Sequence, residues 1–111
     1  MNETYSDEFV KSLKVFSSIK KRILNKIDKI VQNPLMGEPL KYDLRGLISV
    51  PVAKNFIIVY SYCKICRKKG DDQILLCHDC SNVMDETVRF FDVGPHGKTY
   101  KTVRRSNLPN K

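Results

Sequence analysis

No run of apolar residues in this 111-residue chain approaches the ~20 that a helical membrane span needs. The first residues, MNETYSDEF, are polar and acidic and lack the apolar stretch of a signal peptide. There is no tryptophan, no internal repeat and no low-complexity tract. Hydrophobic residues make up 41% of the chain, enough for one modest core but not for two. No cysteine lies outside two C-x-x-C pairs. These absences predict a soluble, cytoplasmic, single-domain protein of residues 1–111 without membrane contact.

Acidic residues are also scarce, with 12 Asp/Glu against 20 Lys/Arg and a formal net charge of +8. Residues 1–62 carry +4, residues 63–86 carry −1 and residues 87–111 carry +5. The positive charge therefore belongs to the body and the C-terminal segment, and the cysteine-bearing middle is near neutral. Such an excess favours an anionic partner, nucleic acid above all, although a generic basic surface or an acidic protein partner gives the same count.

Ser6 reads as a helix cap, with Asp7 and Glu8 in a first turn where the helix dipole favours anions. Phe9, Leu13 and Phe16 recur on one face, and Ser17-Ser18 interrupts the pattern. Ile19, Ile23, Ile27 and Ile30 form the stripe of a second helix, which Asn33-Pro34 stops. The lysines on its other faces read most simply as a solvated surface, with RNA contact the lesser option. Residues 34–46 hold two prolines and two glycines and read as a loop. Leu47 to Val52 reads as a strand that Pro51 places on an edge or at a bulge. Lys54-Asn55 reads as a hairpin turn, and Phe56 to Tyr60 as a central strand covered on both sides. Thr87 to Val93 is the next strand. It ends at Gly94 and hands over to a polar turn carrying His96, Lys98 and Tyr100. In a regular strand Arg89 shares a face with Phe91 and Val93. Two helices followed by strands predict an α+β fold, with antiparallel helices packed on a three- to four-stranded twisted antiparallel sheet. Residues 102–111 are polar and basic and read as a disordered tail.

Between the last two strands lies an insertion, residues 63–86. Cys63-x-x-Cys66 and Cys77-x-x-Cys80 are separated by ten residues. Each pair puts two thiolates on one side of a tight knuckle, and two knuckles complete a tetrahedral site suited to Zn²⁺. Disulfides, a redox dithiol and a rubredoxin-type iron centre are the rivals. Covalent haem is excluded, because Arg67 and Ser81 stand where it needs histidine. A closed site of Cys63, Cys66, Cys77 and Cys80 leaves no position for water, so the expected role is structural.

Outside this insertion the sequence resembles the RelE/ParE toxin superfamily, in particular the RelE-like mRNA interferases. The stretches that carry the likeness are SDEFVKSLKVF, QNPLMGEPLKYDLRGL, FIIVY and FFDVGPHGKTY, over residues 6–62 and 87–101. They are similar in order and spacing to the family's "nP…g.pL…LrG", "yRIvY" and "iGpH…vY". The resemblance implies a type II toxin that cleaves mRNA, on the ribosome, by attack of a 2′-hydroxyl on the adjacent phosphate without a metal. It also implies a RelB-like antitoxin as partner. His96 falls where the family places an Arg or His, and an imidazole, with a reference pKa of about 6.5, can protonate the leaving 5′-oxygen. Tyr100 falls at the C-terminal Tyr, where it would stack on a base or assist proton transfer. Arg45 matches the arginine of the LRG motif and would contact phosphate. Two features depart from the pattern: Ile57 stands at the central-strand arginine, and Leu47 to Val52 holds no lysine. The cationic clamp must then come from Lys41, Lys54, Arg89, Lys98 and Lys101. Two other functions fit the same residues: a non-cleaving binder on this fold, such as a ParE-like gyrase inhibitor, and a nucleic-acid adaptor built on the cysteine module.

Overall fold

In the structure, a computed structural model, residues 2–40, 46–65 and 86–100 are described. Lys41, Arg45, Cys66, Cys77, Cys80 and Lys101 lie outside them, as do residues 66–85 of the insertion and the basic tail.

Ser6 opens helix α1 (Asp7–Val15) as expected, its Oγ accepting the Phe9 N–H at 3.0 Å. The same hydroxyl donates to the Phe91 carbonyl at 2.5 Å, which ties the cap to the sheet. A 3₁₀ turn over Ser17–Ile19 leads into α2 (Lys20–Gln32). Ile23, Ile27 and Ile30 are all buried, each contributing about 1.5–3 kcal/mol of transfer free energy.

The sheet has five strands in the order β1-β5-β4-β3-β2. They are β1 (Asn2–Tyr5), β2 (Glu38–Pro39), β3 (Ile48–Ala53), β4 (Phe56–Tyr62) and β5 (Thr87–Pro95). The three to four antiparallel strands expected from the sequence are thus corrected to a mixed sheet of five. The polar N-terminus supplies the extra edge. Asn2 to Tyr5 runs parallel to Thr87 to Phe90, and the Tyr5 ring stacks on Phe90 at 5.1 Å. Backbone pairing and one aromatic contact are enough for an edge strand that shows no hydrophobic alternation. β2 is a two-residue rung inside the predicted loop, paired with Ile48 and Ser49. Pro51 therefore sits on the part of β3 that has a strand on one side alone, next to a register shift between Pro51 and Ala53.

The β4–β5 ladder is broken once. Val59 pairs with Asp92 and Tyr60 with Phe90, so Phe91 is a bulge. The bulge overturns the expectation that Arg89, Phe91 and Val93 share a face: Val93 packs under the helices and Phe91 on the opposite side. The main core joins Phe9 and the α2 isoleucines to Ile48, Val50, Ile58, Tyr60, Val88, Phe90 and Val93. Tyr60 is fully buried and donates to the Pro34 carbonyl at 2.7 Å, fastening the loop after α2 to the sheet. Burial pushes its phenol up to about 12.

Candidate active site

The two faces of the sheet are unequally covered. The helices take one. On the other, among the described residues, Leu47, Ile57 and Val59 are buried beneath Leu40, Phe91 and Tyr100. The chain after β5 decides what stands on this open face. Gly94 lets it approach closely: a Cβ there would lie 2.8 Å from Thr99 Oγ1 and 3.2 Å from the Phe16 ring. The His96 N–H donates to the Asn55 carbonyl at 2.8 Å, so the β3–β4 turn holds the start of the next segment. Asn55 is the turn residue with positive φ, 64°.

Residues 96–100, expected as a polar turn, form a helical one. Positions four apart share a helix face. His96 and Tyr100 accordingly meet edge to face, with ring centroids 4.6 Å apart and planes at 81°. The Tyr100 hydroxyl donates to Ser49 Oγ at 3.3 Å, which fixes its far end on β3. His96 is exposed and Tyr100 half-buried.

These side chains border an open basin of about 590 Å³. Ser49, Pro51 and Ile57 line it from the sheet, Met36 to Glu38 from the loop before β3, and Lys26 from α2. Gly37 lets that loop lie directly on β3, since a Cβ would meet Ile48 Cγ2 at 2.5 Å and the Ser49 carbonyl at 2.7 Å. A basin of this size takes a nucleotide-sized ligand. An accessible imidazole braced by a tyrosine can give up or accept a proton beside it.

The other predicted residues divide. Lys54 is exposed on the β3–β4 turn, next to the Asn55 that holds His96. Lys98, halfway round the helical turn, points into a separate groove of about 210 Å³ along α1, with Glu8, Lys11 and Asp92. Asp92 accepts from Ser12 Oγ at 2.7 Å and from the Val93 N–H at 2.8 Å. Its burial raises the carboxyl pKa, while those two bonds pull it down. Arg89 is half-buried beside Thr4 to Asp7, opposite Ser61 and four rungs from Ile57. Neither Arg89 nor Lys98 lines the basin. Cys63 is buried directly after β4. Sequence reasoning passed over Ser49, Glu38 and Met36. Only Ser49 left a signal, a hydroxyl in step with Leu47 on an otherwise apolar strand.

No protein-family model matches the sequence, and no curated protein matches it. Solved structures do. YafQ from E. coli superposes with a TM-score of 0.62 at 16% identity, over 89% of this chain and 97% of that one. A YoeB/ParE toxin from Agrobacterium tumefaciens gives 0.63 at 14% identity, over 86% and 99%. YoeB in the YoeB–YefM complex from Staphylococcus aureus gives 0.59 at 19%, over 86% and 97%. The chain has the RelE/ParE toxin fold. The open sheet face combines, among the described residues, the larger basin with the exposed His96 imidazole and Tyr100. Among the described residues, no helix is long and apolar enough to cross a membrane, and no cluster of three or more metal-ligating side chains occurs.

Proposed function

We propose that this protein is the toxin of a type II toxin–antitoxin pair and an endoribonuclease of the RelE kind, cleaving mRNA in the ribosomal A site. The observation that carries the reading is the His96–Tyr100 pair, braced by Ser49 at the border of an open basin. RNA brings its own nucleophile, so the protein need only orient the chain, move protons and offset charge. The 2′-hydroxyl gives its proton to water as its oxygen bonds to phosphorus and the bond to the 5′-oxygen breaks, leaving a 2′,3′-cyclic phosphate. His96 gives that leaving oxygen its proton. Tyr100 offers a ring for stacking to a base, and Lys26, which lines the basin, and Lys54, on the turn that holds His96, can offset charge on the phosphorane. Lys41, Arg45 and Lys101 complete the cationic surface in this proposal. The resemblance in the flanking motifs and the antitoxins named with its structural neighbours, YefM and DinJ, support a RelB-like antitoxin as the partner.

Ile57 sets the chemistry apart within this reading. It is buried under Tyr100 where the resembling family has an arginine. The phosphate therefore meets an apolar floor, and proton transfer by His96 carries more of the rate. The test is translation in extract, wild type beside His96→Ala, with mRNA 5′-ends mapped. New ends inside reading frames with wild type alone are expected. Inhibited translation without new ends would instead assign a non-cleaving binder on the same fold.

A further inference from the structure

Tyr62, the last residue of β4, pairs with Val88, and Cys63 follows it immediately in a short helical turn over residues 63–65. The chain thus leaves the sheet and returns to it at one rung. The 24 residues from 63 to 86 close a loop between neighbouring strands. Closing so long a loop costs entropy, and few of its side chains are apolar enough to repay that with a core. Yet it holds all four cysteines of the chain, in two C-x-x-C pairs ten residues apart, and the first of them is buried against the domain.

We propose that Cys63, Cys66, Cys77 and Cys80 bind one Zn²⁺ as a structural centre rooted on the β4–β5 ladder, at the opposite end from His96. Four thiolates match zinc's preference for soft ligands in a tetrahedron, and a full set leaves no position for substrate or water. Place in the fold argues the same way. Ile57, in the basin, and Tyr62, at the root of the loop, are five residues apart on one strand, roughly 16 Å at ~3.3 Å per residue. Four thiolates around one Zn²⁺ also leave negative charge on a segment whose side chains already sum to −1. That sign suits a position away from bound RNA. Zinc here offsets the cost of closing the loop and takes no part in the chemistry of the basin.

The test uses the full chain made in a cell-free system supplied with equal zinc and iron. Metal is quantified by mass spectrometry, and release is followed with a mercurial thiol reagent and a chromogenic zinc indicator. About one zinc per chain is expected, released as about four thiols react, and lost from the Cys77→Ser/Cys80→Ser variant. One iron per chain would overturn the proposal, as would a metal-free chain with paired disulfides. Full zinc in the double variant would overturn the ligand set. If that variant does not fold, the wild-type titration decides alone: zinc that stays bound after all four thiols have reacted overturns the thiolate site. Neither readout involves RNA, so the outcome is independent of the nuclease reading.

Discussion

His96 is held by its backbone, through the bond from its N–H to Asn55, while its ring stands in water against Tyr100. His96→Ala keeps that backbone bond and removes only the imidazole. Cleavage is expected to fall about 10²- to 10⁴-fold, the usual worth of one general acid, with folding free energy changed by less than about 0.5 kcal/mol. Single-turnover cleavage and a urea titration on the same preparation separate the two effects. Asp92 has the opposite character, buried and held from Ser12 and Val93. Burial raises its carboxyl above the unfolded value of 3.8, so the folded chain holds this proton more tightly than the unfolded one. Its contribution to stability is therefore fully present below pH 3.8 and is lost as pH rises through the raised folded value. Asp92→Asn keeps an oxygen for both donors and cannot ionise. Relative to wild type, the variant is expected to gain stability as pH rises from 3.8 toward neutrality, read from urea midpoints across that range.

Ser6 joins three elements: it follows β1, caps α1 and donates to the Phe91 bulge. Ser6→Ala removes the cap and the bond to the sheet together. The expected loss is about 1.5–2.5 kcal/mol, from roughly 1 for the cap and 0.5–1.5 for the second bond, measured by denaturant unfolding. The cap itself was legible in the sequence, as were both helices, the hairpin turn at Lys54-Asn55 and the buried strand from Phe56. Each is written in local chemistry: a cap residue, a 3.6-residue stripe, or a run of β-branched side chains. What escaped was set by distant partners. β1 has no pattern of its own and exists because β5 offers an edge. The Phe91 bulge shifts one rung and sends Val93 to the helix face, which alternation alone does not foresee. At the site, His96 and Tyr100 were both named from the motif, but their edge-to-face contact needed the helical turn and the support from Ser49 needed the register of β3.

At the scale of the molecule, the cations nominated by sequence are sorted by the fold. A helical turn sends residues two apart to nearly opposite sides, so Lys98 lies in the α1 groove while His96 and Tyr100 border the basin. Lys54 stands on the turn that holds His96. A net charge of +8 attracts polyanions to the whole surface, but only a lysine at a bound phosphate releases a counterion there. Binding of a short single-stranded RNA to the His96→Ala chain, measured across a salt series, distinguishes the two positions. Lys54→Ala is expected to weaken binding about equally for every sequence and to reduce the salt slope by about 0.7, the share of one phosphate contact on a single strand. Lys98→Ala is expected to leave the slope unchanged and to alter only the groove it shares with Asp92, where it lowers that carboxyl's pKa. An equal loss of slope from both variants would mean that the RNA follows total charge rather than the open face, and would remove the basin from the path of the substrate.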